Sequence, residues 1–351
     1  MKIPLRHSHC GFAVIIALVA VTVLSLMAAA LAVFMKVESQ LTANGNDDEQ
    51  LMWIGRAGVE RACWILANEP PGLTDLKQIW AGGPGDGPET NGPLMGITLN
   101  NFPVGDGTVS ISLVEQESKI NINRADTPLL QQVLTTMGVD AGDISVVSDS
   151  IQDWIDPDDA TRPAGAESDY YQGLIPPYNA KNAPIDDIEE LQLIKGVTPL
   201  MFKGGSNVNP SSPFRRHKLG FGNAPGQEDY PFGLRDVFTP YSSGKVNVNT
   251  AGTNVLSCIP GMDANSVQNI MTLRESAGSF DGSGGVITSL SQLQAVVSSP
   301  QVFQQLNNYC TVSGNTYEVH ATARIGSDER EFIAVLLRFG NLVQIVGFHP
   351  K

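Results

Sequence analysis

Residues 12–35 run for 24 positions without a charged side chain. As a helix that stretch would reach about 36 Å, enough to cross a hydrocarbon core of about 30 Å. A polar leader precedes it, with Lys2, Arg6, His7 and His9 in its first ten residues. Basic residues ahead of a span hold the N-terminus on the cytoplasmic side. Beyond the span, Val37, Leu41, Leu51, Ile54, Gly58, Cys63 and Leu66 recur at helical spacing, so one long helix is expected to continue out of the membrane. Asn44-Gly45-Asn46 predicts a kink or local unwinding in it, and Pro70-Pro71 predicts its end. Residues 82–93, rich in Gly and Pro, read as an exposed loop. The period then changes to two. Residues 96–104 and 108–116 alternate as strands about the turn Gly105-Asp106-Gly107, and 317–325 and 331–339 do so about Gly326-Ser327-Asp328.

Between the two hairpins the pattern is mainly helical and weakly repeated. Lys119-Ile120-Asn121-Ile122-Asn123 is echoed by Lys245-Val246-Asn247-Val248-Asn249, Ala125 by Ala251 and Leu130 by Leu256. Each copy runs into a helix–hairpin–helix outline. The first has helices over 127–137 and 141–155 about Gly138; the second has helices over 253–258 and 264–274 about Gly261. Residues 204–233, rich in Gly, Pro, Ser and Asn, read as irregular. The expected fold is α+β: a long N-terminal helix on an antiparallel sheet, with a large mainly helical inserted domain of helix–hairpin–helix-like repeats. The expected divisions are a leader at 1–11, the membrane part of the helix at 12–35, a first sheet-bearing part at 36–119, the insertion at 120–311 and C-terminal strands at 312–351.

Charge removes one function suggested by those repeats. Helix–hairpin–helix units often bind nucleic-acid backbones, yet the chain carries a net charge of −14, and residues 140–190 hold 13 acidic and 2 basic side chains. Such a face repels phosphate, so nucleic acid is excluded as a partner. The acidic run is itself the best chemical candidate. Asp153, Asp156, Asp158 and Asp159 fall around Trp154 and Pro157, and Glu167 and Asp169 follow a Gly/Ala/Pro stretch. Carboxylates on a constrained loop suit a hard cation such as calcium, although the spacing is not that of an EF-hand. The competing reading is a solvated loop whose Asp residues cap helices. His217, His320 and His349 stand in no metal-ligand spacing, and no nucleophile elbow or phosphate loop occurs. No enzyme is expected.

Four cysteines occur, and Cys10 lies in the leader. In an exported protein Cys258 and Cys310, which share the inserted domain, are the pair to expect as a disulfide; the alternative is that Cys63, Cys258 and Cys310 are all buried free thiols.

The leader holds the most specific signal. Gly11-Phe12 stands before the apolar segment, whereas a secretory signal keeps its cleavage site after it. That order resembles the type IV pilins and pseudopilins, in which a prepilin peptidase cuts after the Gly and methylates the new N-terminal residue, here Phe12. The class usually has Glu at the fifth mature position; here that position is Ile16. The departure, the paired Asn-x-Asn motifs, Asp153-Trp154-Ile155-Asp156, Gly165-Ala166-Glu167, Asp169-Tyr170-Tyr171 and Pro177-Tyr178-Asn179-Ala180 together resemble the protein K family of type II secretion, which are minor pseudopilins. The resemblance implies a pilin-like fold, calcium in the insertion, and an inner-membrane anchor with the globular part in the periplasm. It also implies a place at the pseudopilus tip with pseudopilins I and J, with H and the major pseudopilin G as further partners and contact with secreted substrates or the outer-membrane channel. A minor pilin of a type IV pilus, for adhesion or DNA uptake, is the alternative, and a membrane-anchored periplasmic enzyme is a more distant one.

Overall fold

The structure, a computed structural model, describes residues 10–83, 93–206, 229–275 and 285–351, without the side chains of 10–13 and 39–46. The leader residues 1–9, and most of the loops expected at 82–93 and 204–233, lie outside the described residues.

Helix α1 (Cys10–Asn68) runs unbroken through Asn44-Gly45-Asn46, so the chain does not unwind there. One interior Gly costs a helix about 1 kcal/mol, too little to end a rod of this length. Its stretch Val14–Glu38 has a mean hydropathy of 2.8 and no buried residue, and is long and apolar enough to cross a membrane. The second half faces inward through Leu51, Ile54, Val59, Ala62, Ile65 and Leu66. That is the stripe expected of an amphipathic helix, with Ala62 fully buried and Cys63 half-buried against the same core.

The stripe packs on a five-stranded antiparallel meander of β1 (Phe102–Val104), β2 (Gly107–Glu115), β3 (Thr316–Ile325), β4 (Asp328–Phe339) and β5 (Leu342–Pro350), in that spatial order. Alternate residues point at the helix: Val109, Ile111 and Leu113, then Val319, Ala321 and Ala323, then Phe332, Ala334 and Leu336. The strand expected at 96–104 is cut to three residues. Thr98 and Asn100 bond each other through side chain and backbone, and Asn101 takes φ 51°, which turns the chain out of the sheet. β5 lies within the C-terminal strands expected over 312–351 and adds a third strand to the expected hairpin.

Helix and sheet approach closely because α1 presents Gly55 and Gly58. A Cβ at Gly58 would lie 2.7 Å from Val109 Cγ2 and 3.1 Å from Ile111 Cγ2; one at Gly55 would lie 2.3 Å from the Phe332 ring. Gly58→Leu is therefore expected to destabilise the protein by about 1–3 kcal/mol or more through overpacking. A urea midpoint unchanged from wild type would contradict that contact.

The insertion leaves β2 and returns to its sheet neighbour β3, and it has a core of its own running from Ile120 to Cys310, separate from the helix-on-sheet core. Its two copies are built alike. Ile120–Asn121 pairs in parallel with Phe238–Thr239, and Val246–Asn247 with Cys310–Thr311. The Asn123 amide accepts from Ile185 N (2.7 Å) and donates to Ile185 O (2.9 Å); Asn249 does the same with Ile287 (2.9 and 2.9 Å). Asn121 and Asn247 each accept from the backbone N–H two residues on. Both Asn-x-Asn motifs are thus backbone staples. Helices α2 (Thr127–Met137) and α3 (Ala141–Ile155) meet at Gly138 (φ 86°) in the first copy; α5 (Thr253–Ser257) and α6 (Ala264–Glu275) meet across Gly261 (φ 81°) in the second. A short helix, α4 (Ser168–Gln172), follows α3.

Two buried carboxylates fasten this insertion to the sheet. Glu117 accepts from Ser243 N (3.0 Å), Asn315 N (3.1 Å), Thr316 N (3.1 Å) and Thr316 Oγ1 (3.2 Å). Glu115 accepts from Asn247 Nδ2 (3.0 Å) and from the Thr250 hydroxyl. Burial, reinforced by the charge of Glu117, pushes the Glu115 carboxyl up to about 8.

Candidate functional site

The acidic loop sits in the first copy, between the end of α3 and the Asn123–Ile185 staple. Its floor is aromatic: Trp154 meets Tyr171 edge-on at 5.2 Å, and Tyr171 stacks on Tyr178 at 5.2 Å. Lys195 clasps the turn above it through Gly165 O at 2.9 Å.

On this base the six acids separate into two groups. One carboxylate oxygen from each of Asp156, Asp158 and Glu167 lies within 4.8 Å of the others. Glu167 is 3% exposed, and both its oxygens are buried without a hydrogen-bond partner; so is Asp156 Oδ1. Orphaned buried carboxylate oxygens are costly, and two residues carrying them in a cluster of three carboxylates fit a cation. The all-oxygen donor set suits calcium and lacks the nitrogen or sulfur that zinc favours. The other three acids are not in the cluster. Asp153 is held by Arg162, Asp159 Oδ1 accepts from Asn182 Nδ2 at 2.9 Å, and Asp169 is exposed in the first turn of α4. Of the six acids expected as ligands, the structure brings Asp156, Asp158 and Glu167 together and leaves Asp153, Asp159 and Asp169 outside the cluster. Two neighbours escaped sequence reasoning. Arg162 donates to Asp153 and Asp156, and Asn182, with φ 48°, binds Asp158 O at 2.9 Å and keeps a buried, unpartnered Oδ1. For Arg162 there was a signal: it is one of only two basic residues among 13 acidic ones over 140–190.

Burial, with repulsion from Asp153, Asp156, Asp159 and Asp158, pushes the Glu167 carboxyl up to about 7. A raised carboxyl contributes stability at low pH that is lost as pH rises through its folded value. In chelator the melting temperature is therefore expected to fall between about pH 4.5 and 7, and the gain on adding calcium to grow over the same window, since the ion replaces a proton. A calcium gain as large at pH 5 as at pH 8 would contradict this.

Cys258 and Cys310 are separate buried thiols, which corrects the expected disulfide. Cys258 closes α5, whereas Cys310 is committed to the strand pair with Val246. Burial pushes both thiols up to about 12. Cys63 is also free. Gly11 and Phe12 fall in the first turn of α1, and their side chains lie outside the described residues.

A long helix, apolar in its first half and laid by its second half on an antiparallel meander, defines the pilin-like class, here with a helical insertion between adjacent strands. Residues 100–204 match the family model for protein K of the type II secretion system (T2SS). It is similar to type II secretion system protein K of Aeromonas hydrophila, 27% identical over 213 residues, covering 57% of this chain and 62% of that protein. The Klebsiella pneumoniae protein K is 23% identical over 215 residues, covering 57% and 61%. The match thus spans a little over three fifths of these relatives. The fold is similar to a chain of the GspK-GspI-GspJ complex from the enterotoxigenic Escherichia coli Type 2 Secretion System, with a TM-score of 0.63, 14% identity, and coverage of 88% of this chain and 99% of that one.

Proposed function

We propose that this protein is a minor pseudopilin that caps the pseudopilus tip of a type II secretion system and helps start its assembly. The observation that carries this reading is the insertion: a second core mounted between neighbouring strands β2 and β3 of a pilin-like sheet. A mass of that size does not fit inside a thin filament of packed helices, so it stands at the end. α1 anchors the chain once in the inner membrane, N-terminus in the cytoplasm and globular part in the periplasm, and packs with pseudopilins I and J, and along the filament with H and G. Without an acid at Ile16, the helix lacks the group that would pair with the amine of a subunit above it. A prepilin peptidase trims the chain after Gly11. Calcium held by Asp156, Asp158 and Glu167 orders the acidic loop of the insertion. The role is mechanical rather than enzymatic.

Gly11→Leu tests the reading in cells. The expected result is a precursor that keeps its leader by intact mass, with cargo retained in the periplasm. Normal secretion by that variant would contradict it.

A further inference from the structure

The acids around the cluster differ in what Arg162 does to them. Asp153 is wholly buried. Its oxygens accept from Arg162 N at 3.3 and 3.2 Å, and its Oδ1 also accepts from Arg162 Nη1 at 2.7 Å. The same Nη1 holds Asp156 Oδ2 at 2.5 Å. Asp156 Oδ1, on the other side of that carboxylate, is buried without a partner, like both oxygens of Glu167. The turn that delivers the guanidinium is sterically specified. Gly165 N donates to Arg162 O at 3.0 Å, Ala164 N donates to Asp149 Oδ2 at 3.2 Å, and a Cβ at Gly165 would come 1.9 Å from Asp153 Oδ2.

We propose that Arg162 is the positioning residue of the cation cage: it withholds Asp153 from the ion, turns Asp156 so that one oxygen only faces the cage, and sets a local charge suited to a divalent ion. This rests on a cation being held by Asp156, Asp158 and Glu167. One Arg162 nitrogen occupies an oxygen of both neighbouring aspartates, so the ion draws its Asp156 ligand from Oδ1 alone. Arg162 sets one positive charge among the four carboxylates of Asp153, Asp156, Asp158 and Glu167. Removing it makes the site more negative by one, and a more negative site favours a trivalent over a divalent ion of similar radius. It also frees Asp156 to supply both oxygens.

The test uses the full chain in detergent micelles at pH 7.5. Terbium binding is followed by its luminescence, and calcium binding by competition. Arg162→Gln is expected to raise the preference for terbium over calcium at least fivefold. Luminescence lifetimes in H2O and D2O should show one bound water fewer. Arg162→Lys, which keeps the charge and a single nitrogen to share, should stay within twofold of the wild-type preference. A purely scaffolding role would weaken both ions by one factor and leave the water count unchanged, and that result overturns the proposal. Wild-type protein that takes up neither ion would overturn the cage itself, and this inference with it. Should Arg162→Gln fail to fold with Asp153 unpaired, the pair Asp153→Asn/Arg162→Gln is measured instead. It is expected to lose one bound water, and an unchanged count overturns the proposal.

Discussion

Glu167→Gln is expected to abolish the calcium-dependent part of this protein's stability. The glutamine keeps the shape of the side chain and removes the central charge of a cluster in which both Glu167 oxygens are buried without partners. A ligand at 100 times its dissociation constant adds about 2.7 kcal/mol to the native state, which for a domain of 150–250 residues is about 5–10 °C in melting temperature. The wild type should show a rise of that order on moving from chelator to millimolar calcium, and Glu167→Gln should show none. In chelator the variant should melt no lower than the wild type, because the substitution also removes repulsion from Asp153, Asp156, Asp158 and Asp159. This second arm separates loss of ion binding from simple damage. Differential scanning calorimetry reads both, and a full calcium response in the variant would remove Glu167 from the site.

The second large effect belongs to Glu117, the buried knot between the two cores. Its carboxylate satisfies three backbone N–H groups and one hydroxyl, drawn from the start of the second copy and from the return into β3. Glu117→Ala strands all of them. At about 1–3 kcal/mol for each buried donor left unpaired, with partial relief from entering water, the expected loss is about 4 kcal/mol. Urea unfolding should show that loss, with the insertion freed from the sheet before the sheet itself melts. A loss under about 1 kcal/mol would mean that the two cores are joined by packing rather than by this carboxylate.

Periodicity made the elements legible wherever one face was buried. The two halves of α1, helices α2 and α3, and the strands β2, β3 and β4 all follow from the spacing of their apolar residues. It failed where side chains bond the local backbone, as at Thr98 and Asn100. It also failed at β5, an edge strand whose residues alternate between exposed and half-buried and so carry a weak period. The Asn-x-Asn repeat was visible in the sequence, but its purpose was not. Only the fold shows Asn123 and Asn249 each pairing with a single isoleucine peptide far along the chain. The acidic site was legible as a region and not as a ligand set. Proximity in sequence cannot tell Asp156, which turns an oxygen inward, from Asp153, which Arg162 consumes. The cysteines misled for a similar reason, since sharing a domain does not bring two thiols together.

The most direct test of the account is assembly. The full chain is co-expressed with pseudopilins I and J of the same secretion system, extracted in mild detergent and weighed by light scattering behind size exclusion. The account predicts a single species holding one copy of each of the three, with crosslinks from this chain's α1 to both companions. Elution of this chain by itself, or its recovery spaced along filaments among copies of the major pseudopilin, would contradict it.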